Sequence, residues 1–366
     1  MQPSAPRVPG RDSTFVADID RSEPGIMIIR LSGRRGLHEI GLLRQARQEA
    51  ATSGQRHGKS SGERSGKGCG FGCTAREEEM EHGKASATAQ GAAALRAAHL
   101  FYDKPCVFED PYAIELTSDE YRELHKGAKL KAFFDDLGLT AIRGQIVGRA
   151  RYAENALEVA VRAGIRQYVM LGAGLDSFVM RRPDLMQRLT VFELDHPDTQ
   201  AYKLERLNSM QFEYPDNVVF VPVDFESTTF DTALSQTIFE PTQPAFFAWL
   251  GVVAYLTLEA ILSSLAAIKA CSAAGSELLF DYPILEHLID PSELALTGRV
   301  KQGTAEMGEA RPAQHDPRVL IGEVCELGFE LVEDLSPAQH RERFFSGRDD
   351  DLRPYPEVHI AHFRAL

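Results

Sequence analysis

The chain has 366 residues, 43% of them hydrophobic and 25% charged, enough for one large or two small cores. A formal net charge of −13 offers no basic face to neutralise phosphates, which argues against a nucleic-acid partner. The 5 cysteines, Cys69, Cys73, Cys106, Cys271 and Cys325, are an odd and scattered set, which excludes a disulfide framework and fits a reduced compartment.

The N-terminal MQPSAPRVPGRDST lacks the apolar core of a signal peptide, so the expected location is the cytoplasm. Residues 1 to about 85 are rich in Gly, Ser, Arg and Glu. A run such as TSGQRHGKSSGERSGKG cannot bury enough surface to offset its chain entropy. A mostly disordered extension is expected over 1–85, with a short strand at Gly25–Leu31 and a short helix at Leu42–Ala51. Three motifs there match by letter and fail by context. Gly54–Ser60 is one residue short of a phosphate loop and follows no apolar strand. Gly58–Gly62 spells a serine-hydrolase elbow without strand and helix around it. Cys69 and Cys73 have the first spacing of a cluster-binding motif, but Arg76 stands at the third cysteine position.

Globular patterning begins near residue 86 and defines a second domain, 86–366. Thr88–Leu100 reads as an Ala-rich helix, Asp110-Pro111-Tyr112 as a turn or helix start, and Leu139–Ala163 as a long amphipathic helix. Strands are expected at 167–171, 190–195, 217–222, 245–250 and 276–281, with helices at 176–187, 197–210 and 257–272. A helix near 316–327 leads into Cys325–Leu331, and the alternating Glu357–Arg364 reads as a final strand. The longest apolar run, Ala245 to Leu256, is short of the roughly 18 residues a bilayer span needs, so no membrane partner is expected. Alternating strand and helix predict an α/β Rossmann-like fold: a mostly parallel sheet with helices on both faces.

The most informative stretch is Gln167 to Pro197. An apolar strand runs into Gly172-Ala173-Gly174, a helical segment follows, and a second strand ends on Asp195. This is the pattern of a nucleotide-binding βαβ unit: bare backbone approaches the ligand, and the acid about 20 residues on accepts from ribose hydroxyls. A plain strand-to-helix turn, and a capping role for Asp195 before Pro197, are the competing readings. The third glycine of the dinucleotide fingerprint is replaced by Ser177, and Asp176 puts a carboxylate in the turn. That carboxylate would repel a pyrophosphate but suits S-adenosyl-L-methionine, which carries an ammonium and a sulfonium. Asp224-Phe225 ends the third strand, where an acid accepts from an exocyclic amine and an aromatic ring stacks. An ordinary polar loop is the alternative. Arg149 and Arg151, two apart on a helix, do not share a face, so one of them is the candidate clamp for a carboxylate. Asp281-Tyr282-Pro283 superficially matches the tetrapeptide of amino-methylating enzymes but follows the fifth strand, where Asp281 reads as a loop residue at a pocket rim. His196 reads as a helix cap, and Tyr255 and Tyr282 are pocket candidates by position alone. No side chain declares itself a general base.

Taken together, ATAQGAAALRAAHLFYDKPCVFEDPYA, GRARYAENAL, RQYVMLGAGLDS, VFELDHP, VPVDF and FFAWLGVVAYLT resemble the leucine carboxyl methyltransferase family in its bacterial branch, from about residue 86 to the end. The resemblance implies the class I methyltransferase sheet of seven strands with a helical N-terminal cover. It implies S-adenosyl-L-methionine contacts at Gly172, Asp195, Asp224 and Phe225, and one from the Arg149/Arg151 pair. Many relatives carry Glu-Gly after the fourth strand, where this chain has Leu250-Gly251. The expected function is O-methylation of a small-molecule carboxylate or hydroxyl. A nicotinamide-dependent oxidoreductase and a non-catalytic S-adenosyl-L-methionine-binding module are the alternatives.

Overall fold

The computed structural model describes three strands within residues 16–40, and residues 86–225, 228–306 and 313–366. Contacts divide the chain into two units, Met1–Glu81 and His82–Leu366. In the first, β1 (Val16–Asp20), β2 (Ile28–Gly33) and β3 (Gly36–Ile40) pair antiparallel in that order. The strand expected over Gly25–Leu31 overlaps β2, whereas β1 and β3 fall where periodicity gives no strand. The helix expected at 42–51 and the motifs between residues 54 and 76 lie outside the described residues.

The second unit is built on seven strands: β4 (Gln167–Leu171), β5 (Thr190–Asp195), β6 (Val218–Pro222), β7 (Ala245–Trp249), β8 (Glu277–Pro283), β9 (Phe329–Leu335) and β10 (Val358–Ala365). Their order is β6-β5-β4-β7-β8-β10-β9, parallel from β6 to β8, with β10 antiparallel to both neighbours. The α/β architecture expected from the sequence is therefore present. Every residue of β4 is buried, and its side chains alternate between two cores. Tyr168 and Met170 join the core under the Thr140–Ala163 helix, while Val169 and Leu171 join the one under the Leu258–Ala270 helix. No described helix is long and apolar enough to cross a membrane.

One expected helix is broken. The segment 176–187 forms two single turns, Phe178–Arg181 and Pro183–Met186. Pro183 drives the preceding Arg182 out of the helical region, to φ −118 and ψ 55. Five of the described helices were not expected: Asp119–Lys126, Leu130–Asp136, Phe230–Ser235, Leu294–Glu306 and Pro337–Phe345. The last carried a legible signal: Ser336 and Gln339 form a reciprocal capping box with Pro337 at the first helical position.

The Thr140–Ala163 helix is the long strut of this unit, and Gly144 lets it approach the backbone at Arg353. A Cβ at Gly144 would stand 2.0 Å from the Arg353 carbonyl oxygen. Alanine gains about 1 kcal/mol of helix propensity over glycine, but overpacking against a backbone atom costs roughly 1–3 kcal/mol or more. Gly144→Ala is therefore expected to destabilise the protein by roughly 1–2 kcal/mol in urea unfolding. An increase in stability would show that the 353 segment gives way freely.

Candidate active site

The sheet order places the topological switch between β4 and β7, since the chain builds outward from β4 to β6 and then crosses to β7. Ligands of open α/β sheets bind at the carboxyl ends of the strands beside such a point. A cavity of about 330 Å³ lies there, with Gly172, Ala173, Gly174, Asp176, Asp195 and Arg149 among the residues that line it.

The glycine turn is shaped by its backbone. Gly172 has φ +71 and Gly174 φ +54, a region that side chains with a Cβ enter at a cost. A Cβ at Gly172 would also stand 2.7 Å from Val252 Cγ2. The Gly172 and Ala173 N–H groups donate to the Leu194 carbonyl at 2.9 and 3.0 Å, joining the turn to the end of β5. Asp195 continues that joint. Its Oδ2 accepts from Gly174 N, and its Oδ1 accepts from His196 N at 2.7 Å. Burial pushes the Asp195 carboxyl above the ordinary range, although the two N–H donors pull the other way. A carboxylate has about four lone-pair sites, so two remain for a ligand hydroxyl pair. His196 caps the Pro197–Ser209 helix through its ring, as expected. Asp176 Oδ1 accepts from Phe178 N at 2.6 Å and lies 3.7 Å from Arg181.

In another part of the lining, Arg149 Nη1 donates to Asp281 Oδ2 at 2.8 Å, and Asp281 Oδ1 accepts from Gly251 N at 2.6 Å. Asp281 is therefore not a rim loop residue. It sits within β8, 5% exposed, and fixes both the arginine and the loop after β7. Arg151 is exposed and does not line the cavity, which settles which arginine of the pair faces it. Asp224 and Phe225 also stand outside the cavity wall. Phe225 is 39% exposed and meets Phe230 edge-on at 4.7 Å between ring centroids. Leu250 lines the cavity at the position where a glutamate was the expectation from resemblance. Tyr255 lines it too, whereas the Tyr282 hydroxyl donates to Asp334 at 3.0 Å.

The roof is the Ala87–Tyr102 helix, and sequence reasoning missed what holds it down. Arg96 donates to Asp110 Oδ2 at 2.8 Å and to the Leu175 carbonyl at 2.6 Å. Ser177 donates to Asp110 Oδ1 at 2.6 Å and accepts from Arg181 at 2.7 Å; Arg181 also pairs with Glu154 at 2.6 Å. The replacement of glycine by Ser177 in the fingerprint thus has a structural use. The signal available was the letter change itself, since periodicity carries no information on buried charge.

The sequence model of the family described as leucine carboxyl methyltransferase matches residues 89–269. YktD of Bacillus subtilis, provisionally named an S-adenosyl-L-methionine-dependent methyltransferase, is 31% identical over 310 residues, 77% of this chain and 99% of its own length. A protein of Mycobacterium tuberculosis provisionally named in the same way is 30% identical over 266 residues, 70% of this chain and 79% of its own. A crystal structure of a DUF574 family protein from Streptomyces avermitilis shares the fold with a TM-score of 0.53 at 15% identity, covering 77% of this chain and 98% of that one.

Asp110 is fully buried, and burial alone would raise its carboxyl; the Arg96 and Arg181 charges and the Ser177 hydroxyl outweigh it and hold the carboxyl below the ordinary range. A depressed folded value means that this stabilisation is complete above the unfolded value of about 3.9 and is lost as pH falls through the folded one. Asp110→Ala is expected to cost about 3–5 kcal/mol at pH 7, because Arg96 is left buried and unpaired. It should also flatten the fall in stability below about pH 4 in denaturant titrations. An unchanged acid limb would show that Asp110 is not the group that titrates there.

Proposed function

The chain belongs to the leucine carboxyl methyltransferase family and is an S-adenosyl-L-methionine-dependent methyltransferase, and we propose that it methylates an oxygen of a small molecule, a carboxylate or a hydroxyl. Family membership sets aside the oxidoreductase reading. The observation that carries the oxygen acceptor is the state of Asp281. The acidic residue of its Asp-Tyr-Pro segment has one oxygen on Arg149 and the other on Gly251 N, so it is not presented to an amine. After β7, where an amino-methylating tetrapeptide would stand, the chain reads Trp249-Leu250-Gly251-Val252.

The cavity's residues suit the cofactor. Asp195 would take the ribose hydroxyls with its remaining lone pairs, and the bare backbone of Gly172 and Gly174 leaves the close approach such a ligand needs. Arg149, held in place by Asp281, would take the methionine carboxylate. Asp176 and Asp195 put negative charge in the cavity lining, which suits a cationic ligand. Bound S-adenosyl-L-methionine supplies an electrophilic methyl group and its own leaving group. What remains for the protein is positioning: the roof helix and the Arg149–Asp281 pair restrict where an acceptor oxygen lies. A carboxylate acceptor is already nucleophilic, so no side chain is assigned as a base.

Asp195→Ala is expected to weaken S-adenosyl-L-methionine binding by roughly 1–3 kcal/mol in titration calorimetry. Undiminished binding would remove Asp195 from the ribose site. Incubation with labelled S-adenosyl-L-methionine and a panel of carboxylic acids and phenols, followed by mass spectrometry, tests the acceptor. A base-labile methyl ester or a base-stable ether is the expected product class. Label confined to nitrogen or carbon overturns the oxygen reading.

A further inference from the structure

A second cavity, about 60 Å³, adjoins the first. The two share Thr88, Ala92, Ile146, Arg149, Gly251 and Tyr255, so this smaller arm opens off the wall that faces the cofactor cavity. Beyond the shared residues the arm is largely apolar, with Leu95, Phe134, Leu139, Ile142 and Val358 in its lining. Its volume holds one functional group and its first carbons, not a second large molecule.

One polar side chain in the arm is not accounted for by the fold. Gln145 is 3% exposed, and neither its Oε1 nor its Nε2 has a hydrogen-bond partner among the described residues. Other polar groups of the arm are committed elsewhere: Arg149 and Asp281 to each other, the Tyr282 hydroxyl to Asp334, and the Thr304 hydroxyl to the Val300 carbonyl. Gln145 lies one helical turn before Arg149, so the two share a face of the Thr140–Ala163 helix. A buried amide without partners is destabilising, and such a group persists where a ligand completes it.

The chemistry of the missing partner follows from the amide. It offers one acceptor oxygen and a donor nitrogen. A hydroxyl satisfies both, donating to Oε1 and accepting from Nε2. A carboxylate only accepts, so it would set its charge against Oε1 and leave that oxygen without a donor. We propose that Gln145 is the acceptor-recognition residue of this enzyme and that it binds a neutral hydroxyl of the methyl acceptor, in the arm beside the cofactor cavity. The proposal rests on the methyltransferase reading above and narrows its acceptor class.

The test uses the full chain loaded with S-adenosyl-L-homocysteine and three probes followed by fluorine NMR: 4-fluorophenol, fluorobenzene and 4-fluorobenzoate. Wild type is expected to bind the phenol about tenfold or more tightly than either of the others. Gln145→Leu should abolish the advantage over fluorobenzene while S-adenosyl-L-homocysteine affinity stays within about twofold. Its melting temperature should rise, because an unpaired buried amide has been replaced by an apolar group. Gln145→Met, closer in shape, should behave in the same way if the leucine variant folds poorly. A phenol advantage that survives both substitutions, tighter binding of 4-fluorobenzoate by wild type, or a lower melting temperature in both variants would overturn the assignment. Failure of wild type to bind S-adenosyl-L-homocysteine would instead bring down the methyltransferase reading on which it rests.

Discussion

Asp110 is sealed from water, and a carboxylate in that position has to be answered by positive charge. Arg96 answers it from the roof helix, and Arg181 approaches from the segment after the glycine turn. Ser177 ties the same carboxylate to the turn itself, and Glu154 holds the far side of Arg181 on the long helix. Four separate stretches of chain therefore meet on one buried cluster. The cavity is defined by where they meet, since Arg96 also carries the roof to the Leu175 carbonyl. Exchanging such a cluster for apolar side chains is often energetically neutral, so its value here lies in geometry: it fixes the height of the roof above the turn.

A second acid–arginine device borders the same cavity. Asp281 orients Arg149 and at the same time accepts from the Gly251 N–H, which ties the arginine to the loop after β7. The close fit is visible in Gly251, where an added Cβ would meet the Arg149 guanidinium. Because Asp281 offsets the charge of Arg149, Asp176 and Asp195 leave the cavity walls with an acidic balance. An acidic balance of this kind suits a sulfonium better than a pyrophosphate.

Much of the sheet was legible because buried parallel strands are near-continuous apolar runs, and β4 and β5 have the bounds their letters gave. The glycine turn and Asp195 were legible for a similar reason: short-range geometry writes them into adjacent residues. The broken helix at Pro183 was readable and was passed over in favour of a longer periodic segment. Asp281 and Arg96 were not readable in their roles. Each acts across a large sequence separation, and one sequence does not reveal which buried polar group will face which. Asp224 and Phe225 follow β6 as their letters gave, and they are not among the residues that line the cavity.

The position of β10 carries a consequence for biogenesis. It lies between β8 and β9, yet it follows both in the chain. A nascent polypeptide that has delivered β4 to β8 has the parallel part of the sheet in hand, but the outer edge of β8 stays open. β9 cannot close it, because its partner is β10 and not β8. The β8 residues are buried in the finished protein, so during synthesis this edge is a pairing template without its cognate strand. The interval lasts for the roughly 75 residues between the two strands, several seconds at ordinary translation rates. The length of time that this edge stays open is therefore set by the order in which the strands are made.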